Sequence, residues 1–270
     1  MYGLPVISGH VGADAAACLL GVGFPREDRL VAIMDIGTNT DLIAGNRRRA
    51  VAASCPAGPA FEGGGVSCGM PALEGAVESV AADEDGTFRL GVIGDGTPQG
   101  FCGSGLVDLL SELRRTGRLN ELGRFASGAR RITVDDASDL FLLERDVNEL
   151  AQAKGANAAG LRVVLDTLGI GADDLDVFYL AGGFGRNVGI EAAQRIGLLP
   201  AMHPSRVVAV GNAAIEGASI ALRSVSARAE LEDFVRRIEH CRLEAHPHFF
   251  DHFTEGCQFR PIETPARRPE

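Results

Sequence analysis

The stretch Leu30-Val31-Ala32-Ile33-Met34-Asp35-Ile36-Gly37-Thr38-Asn39-Thr40-Asp41-Leu42-Ile43-Ala44 decides the fold. An apolar run ends on a carboxylate at Asp35, Gly37-Thr38-Asn39 makes a tight turn, and Asp41 to Ala44 reads as a second strand. Gly45-Asn46 supplies a hairpin tip, after which Arg49-Ala50-Val51-Ala52-Ala53 returns as a third strand. The result is an antiparallel meander. Upstream, Val11 to Gly23 is rich in Ala and Leu with Asp14 near its start, and predicts a short helix feeding the first strand.

Downstream, Gly58 to Gly65 is a glycine-dense connection, followed by strand-like runs around Glu78-Ser79-Val80 and Phe88 to Val92. A helix begins near Ser104, where Leu106, Val107, Leu109, Leu110 and Leu113 recur at helical spacing. The charged, Gly-containing residues Leu119 to Ala137 read as a surface excursion. The second half then alternates differently: a long helix over about Asp146 to Leu168, strand Val177 to Leu180, a Gly-rich turn, a helix over Ile190 to Ile196, strand Val207 to Val210, and a helix from about Ala213 to Leu222. Helix-connected strands of this kind run parallel. A meander continued by such strands is the order of an RNase H-like mixed α/β sheet with flanking helices. The residues from about 1 to 260 are expected to form one nucleotide-binding domain with inserted elements around 60–145, and 261–270 a flexible tail.

Composition limits what this sheet can serve. The formal charge of −10 disfavours a nucleic-acid backbone or an anionic membrane as partner. No apolar run approaches a membrane span, and Met1-Tyr2-Gly3-Leu4-Pro5 lacks the basic start of a secretory signal, so a cytoplasmic location is expected. Six scattered cysteines without a C-x-x-C pair read as free thiols, and no iron-sulfur cluster is expected in this chain. The phosphate-binding patterns G-x-x-x-x-G-K-[ST] and G-x-G-x-x-G do not occur.

Several short motifs can carry chemistry, each with a structural alternative. A strand delivers Asp35 to its end, where a carboxylate suits the waters around a magnesium ion, and Gly37 lets the following amides approach phosphate oxygens. The same residues can equally make a hairpin whose Asp and Asn cap their own turn. Gly182-Gly183-Phe184-Gly185 allows backbone to lie against an adenosine ring or ribose, or simply packs a strand against a helix. Gly103-Ser104-Gly105 offers amides at a helix N-terminus, or only starts that helix. Glu62 can face a nucleotide or begin a helix. Lys154 can reach a base or phosphate, although a solvated helix face is the simpler reading. His246, His248, Asp251 and His252 are metal-capable, yet Pro247 breaks their spacing and no second cluster supports them, so no metal site is expected there.

Taken together, Asp35-Ile36-Gly37-Thr38-Asn39, Ala57-Gly58-Pro59-Ala60-Phe61-Glu62-Gly63, Cys102-Gly103-Ser104-Gly105-Leu106, Leu180-Ala181-Gly182-Gly183-Phe184-Gly185 and Val210-Gly211-Asn212 closely resemble the C-terminal ATPase region of the reductive activators of corrinoid proteins. The likeness runs in order from about Leu4 to Pro261. It implies the ASKHA superfamily, the actin-like ATPase fold in which two RNase H-like halves clamp ATP. In that family ATP hydrolysis drives electrons from a two-iron two-sulfur domain onto cob(II)alamin, restoring cob(I)alamin in a methyl-transfer protein. By the resemblance, Asp35 to Asn39 is the second phosphate loop, with Asp35 the catalytic carboxylate and the ligand of Mg²⁺ through water, and Gly182 to Gly185 is the adenosine loop. ATP and Mg²⁺ are the implied cofactors. The implied partners are a corrinoid protein or corrinoid methyltransferase and an iron-sulfur electron-donor domain on an N-terminal part, with a homodimer as a further expectation. Two features depart from the pattern. The first phosphate loop, another Asp-x-Gly-Thr turn, is not found in these residues, and Thr40-Asp41 stands where the family usually has Gly-Glu after the Asn. A non-catalytic docking module with a relic nucleotide site and a small-molecule kinase of the same fold are the competing functions.

Overall fold

A computed structural model of the chain describes residues 2–84, 86–183 and 187–262. The meander is present as β1 (Val31–Asp35), β2 (Thr40–Gly45) and β3 (Ala50–Cys55), paired antiparallel. β9 (Val177–Ala181) lies parallel to β1, and β10 (Val207–Gly211) parallel to β9. A two-residue strand, β11 (Glu239–His240), pairs parallel with β3 at the other edge. The sheet order is therefore β10-β9-β1-β2-β3-β11. Parallel pairs need crossover connections, and the helical patterns of the second half supply them.

Alternation along β1 divides the interior in two. Val31 and Ile33 face one side, packing with Leu19 and Phe24 near α1 (Ala13–Gly21) and with Leu231 and Phe234 of α6 (Val225–Val235). Ala32 and Met34 face the other, packing with Leu42, Leu161 and Val164. The last two belong to α3 (Glu144–Leu168), the longest helix. With α5 (Ala213–Arg223) completing the first layer, β1 is sandwiched between helices on both faces. That burial is why its sequence is continuously apolar up to Asp35. Asn212 caps α5, its side chain accepting from the Ile215 amide at 3.0 Å. A further helix, α7 (Phe249–Gly256), packs on α3.

Between β3 and α3 the chain builds a three-stranded sheet from β4 (Ala76–Ala82), β5 (Phe88–Val92) and β6 (Gly100–Phe101). α2 (Gly103–Arg115) packs on β4 through a buried stripe that includes Leu106, Leu109, Leu110 and Leu113. A two-stranded ribbon of β7 (Arg131–Asp135) and β8 (Leu140–Leu143) follows. The reading of residues 119–137 as a surface excursion is corrected here. Leu119 and Phe125 are buried and bridge to one another, and β7 buries Ile132 and Val134 while exposing Arg131 and Thr133. Its charged residues lie on the outer face of a period-2 pattern. Pro261 and Ile262 also depart from the expected tail, because Ile262 pairs with Pro200; residues 263–270 lie outside the described residues. α4 (Ile190–Arg195) follows the Gly-rich turn. Among the described residues, no helix is long and apolar enough to cross a membrane.

Candidate nucleotide site

Asp35 sits at the carboxyl end of β1, opposite Asp41 of β2 and beside Ala181 of β9. The chain leaving β9 presses against it. Gly182 has φ +94°, and a Cβ there would stand 2.7 Å from the Ile36 carbonyl oxygen and 2.9 Å from Asp35 Oδ1. Only glycine supplies both the left-handed backbone and the missing side chain. Its amide donates to the Gly211 carbonyl at 2.9 Å, so the ends of β1, β9 and β10 are tied together. Ligands of open sheets containing parallel strands gather at these strand ends.

The turn itself is braced from the glycine-dense connection. Glu62 accepts from the Thr38 amide at 3.1 Å and from Thr38 Oγ1 at 2.7 Å, and the Gly58 amide donates to the Thr38 carbonyl at 2.8 Å. Glu62 thus stands at the loop as an anion held by its donors, which is what a phosphate oxygen would be. Gly37 is less constrained than Gly182: a Cβ would meet the Asn39 carbonyl at 3.3 Å and Glu62 Oε1 at 3.5 Å. Thr38 and Asn39 are exposed.

Glu62 also lines an open cleft of about 220 Å³ together with Phe61, Cys102, Gly103, Ser104 and Gly183. Three separately read motifs therefore meet: the glycine-dense connection carrying Glu62, the Gly-Ser-Gly helix start and the glycine turn after β9. At the cleft α2 begins with Gly103, and its N-cap Cys102 makes no side-chain cap hydrogen bond. A helix start of this kind presents amide donors and the positive end of the helix dipole. Gly105 has a different task. A Cβ there would overlap the Val77 carbonyl oxygen, so this glycine brings α2 against β4.

The electrostatics at the strand ends favour a cation. Burial pushes the Asp35 carboxyl above the usual range, the Cys18 hydrogen bond opposes that rise, and Asp14 adds to it. Asp41 is pushed up to about 6, again by burial first; a Ser54 hydrogen bond opposes that rise, and Asp14 and Asp35 add repulsion. Asp41 Oδ1 is buried without a hydrogen-bond partner among the described residues. Carboxylates crowded in this way are relieved by a nearby positive charge. Mg²⁺ characteristically takes one or two protein carboxylates and completes its shell with water and phosphate, so the donor set fits it. Cys18, on α1, donates its thiol to Asp35 Oδ2 at 3.0 Å. Burial pushes this thiol up, which keeps it a protonated donor.

Lys154 is the candidate that the structure moves elsewhere. It is fully buried in α3, not on a solvated face, and its ammonium donates to the carbonyls of Gly256 and of Gln258, the latter at 2.8 Å. Those carbonyls lie at the C-terminal end of α7, where a cation complements the helix dipole. Lys154 therefore pins α7 to α3 and, among the described residues, makes no hydrogen bond to the Gly37–Asn39 turn. Burial pushes its ammonium down to about 7. Phe184 and Gly185 of the glycine turn lie outside the described residues. The thiol of Cys18 and the grip of Glu62 on Thr38 were not anticipated from sequence. The partners are 17 and 24 residues apart, and no local pattern links them.

Residues 29–266 match the family described as the C-terminal domain of RACo, the ASKHA domain. The corrinoid activation enzyme RamQ of Eubacterium limosum is 33% identical over 280 residues, covering 95% of this chain and 47% of its own. The [Co(II) methylated amine-specific corrinoid protein] reductase of Methanosarcina barkeri is 27% identical over 253 residues, covering 86% and 45%. Among solved structures, a reductive activator for corrinoid, iron-sulfur protein superposes with a TM-score of 0.88 at 32% identity, covering 96% of this chain and 44% of that one. The chain spans about half the length of the curated relatives it matches. With the family matched over most of the sequence and a solved relative superposing along 96% of the chain, this chain belongs to the RACo C-terminal ASKHA domain family.

Proposed function

We propose that the chain supplies nucleotide binding to a reductive activator of corrinoid proteins, in which ATP hydrolysis is coupled to reduction of cob(II)alamin to cob(I)alamin. The observation that carries this reading is the cleft shared by Glu62, Gly103, Ser104 and Gly183, next to the carboxylate-bearing end of β1. The names of the relatives, an activation enzyme and a reductase of corrinoid proteins, support the corrinoid side. Bound ATP with magnesium supplies the phosphoryl group whose transfer to water releases the driving free energy. Asp35 would hold the magnesium ion through its water shell, and Asp41 would add negative charge to the same site. Gly103 and Ser104 offer amide donors to phosphate oxygens, and Gly182 and Gly183 present backbone to the adenosine. Thr38 exchanges the carboxylate of Glu62 for phosphate. The reducing electron comes from an iron-sulfur electron-donor domain, and the acceptor is a corrinoid protein or corrinoid methyltransferase.

A second reading, a docking module without catalysis, draws on one specific observation. Both Thr38 donors are already satisfied by Glu62, so the turn is complete without a ligand. Calorimetric titration with ATP and Mg²⁺, on this chain and on the same chain joined to a second RNase H-like half, separates the two. The ATPase reading predicts weak binding by the chain alone and at least about tenfold tighter binding, worth about 1.4 kcal/mol, when a facing phosphate loop is supplied. Absence of binding by both leaves the docking module. Phosphorylation of an added acceptor, in place of release of free phosphate, would identify a kinase.

A further inference from the structure

The two oxygens of the Asp35 carboxylate are treated differently. Oδ2 accepts from the Cys18 thiol at 3.0 Å, which is the one hydrogen bond this carboxylate receives among the described residues. Oδ1 lies against Gly182, 2.9 Å from where a Cβ would stand, and takes no donor among the described residues. Asp35 is half-buried, whereas Cys18 is fully buried. A carboxylate with one oxygen fixed and the other uncommitted suits a hydrated magnesium ion, which keeps most of its waters and takes few protein ligands.

The thiol is itself a fixed point. α1 and α5 interlock through two glycines: a Cβ at Gly217 would overlap the Ala17 carbonyl oxygen, and one at Gly21 the Ala213 carbonyl oxygen. Cys18 follows Ala17 directly, so α1 is located against α5 at the residue that carries the donor. α5 in turn grows from Gly211 and Asn212, and the Gly211 carbonyl accepts the Gly182 amide at 2.9 Å. Donor, carboxylate and the glycine against Oδ1 thus belong to one packed unit. Without a donor the carboxylate is free to turn, because its terminal torsion has broad minima. A buried cysteine is ordinarily a small apolar filler, and Cys18 does pack in a cluster with Leu19 and Val31. Filling the space needs no S–H, and the hydrogen bond to Asp35 does. A neutral donor also suits this place better than a cationic one, which would compete with the metal for the carboxylate.

We propose that Cys18 is a positioning residue for magnesium: its thiol locks Oδ2 of Asp35 and leaves Oδ1 for the hydrated ion. This rests on the nucleotide reading above, in which Asp35 holds the water shell of the metal. Groups that orient a metal-holding side chain without touching the ion commonly account for about tenfold or more of its affinity.

The test puts Mn²⁺ in place of Mg²⁺ and counts the free ion by electron paramagnetic resonance in an ATP-competent assembly of the chain, with Asp35→Asn as the reference. Cys18→Ala is expected to weaken Mn²⁺ binding about tenfold, and Cys18→Ser, which restores a donor, to recover it to within about threefold of the wild type. Cys18→Val fills the space without a donor and should weaken binding as Cys18→Ala does, which separates the hydrogen bond from the packing. Cys241→Ser, beside β11 at the other edge of the sheet, should leave the affinity unchanged. In the chain alone, without ligand, three-bond couplings should show a single Asp35 χ1 rotamer in the wild type and averaging in Cys18→Ala. Cys18→Ala binding Mn²⁺ like the wild type while Asp35→Asn is weakened overturns the proposal and keeps the nucleotide reading. So does a Cys18→Ser variant that binds no better than Cys18→Ala, or an Asp35 rotamer that Cys18→Ala leaves fixed. Asp35→Asn binding like the wild type overturns both.

Discussion

Two places in this molecule bury ionisable side chains, and they differ in the hydrogen-bond partners they give them. At the α3–α7 junction, Lys154 is fully enclosed, yet two backbone carbonyls receive its ammonium. At the carboxyl end of the β1–β2 hairpin, Asp35 and Asp41 face each other, both pushed upward by burial, and Asp41 Oδ1 has no partner among the described residues. Burying a charge is costly unless it is paired and hydrogen-bonded. The first arrangement offsets part of that cost with carbonyl acceptors inside the fold, although burial still lowers the ammonium to about 7. The second leaves it open, which suits a site completed by a cation and a ligand.

The contrast breaks most readily at Lys154. Lys154→Ala strips the partner from two carbonyls and opens a cavity between α3 and α7, and is expected to cost about 3 kcal/mol in urea unfolding. A loss below about 0.5 kcal/mol would show that the ammonium does not hold α7.

Asp35→Asn is expected to do the reverse. Asparagine keeps the shape and can still accept from Cys18, so stability should change by less than about 1 kcal/mol. In an ATP-competent assembly, Mg²⁺-dependent phosphate release should fall about a hundredfold, equivalent to about 2.7 kcal/mol. Unchanged release with a lowered melting temperature would make Asp35 a structural turn residue.

The pH dependence of Asp41 sharpens the same point. Its folded value of about 6 lies above the unfolded value of roughly 3.9, so the folded state holds the proton more tightly. The stabilisation is fully present below pH 4 or so and is lost as pH rises through about 6. Asp41→Asn removes this dependence. It should therefore match the wild type near pH 4 and exceed it by about 2 kcal/mol at pH 7 without magnesium. Parallel curves for the two proteins would contradict the account.

The smallest effect is expected at Glu62. Glu62→Gln keeps an acceptor for Thr38 but removes the charge beside the phosphate position, so MgATP affinity should rise about threefold, the size of a screened like-charge repulsion. A fall in affinity would mean that the carboxylate assists the ligand instead of yielding to it.

The same contrast explains what was legible in the sequence. The meander could be read because its signals are local: an apolar run ending at Asp35, a turn at Gly37 to Asn39, and a hairpin tip at Gly45-Asn46. The parallel strands followed from the alternation with helices, and the sheet order agrees. What escaped reading was settled at a distance. Lys154 looks like a surface lysine because its partners lie 102 and 104 residues away. β7 was hidden because Arg131 and Thr133 carry its outward face, leaving only Ile132 and Val134 as the inward signal. At the site, five motifs marked the approximate place, but the bracing of Thr38 by Glu62 and the Cys18 thiol on Asp35 arise from packing between segments that no spacing rule connects.

The most direct test of the central claim is amide chemical-shift mapping during titration of the chain with MgATP, a measurement that tolerates weak binding. The account predicts perturbations concentrated at residues 35–39, 62, 103–105 and 182–183, with Lys154, Gly256 and Gln258 unmoved. Perturbations centred on the α3–α7 junction, or none at the turn at millimolar nucleotide, would contradict it.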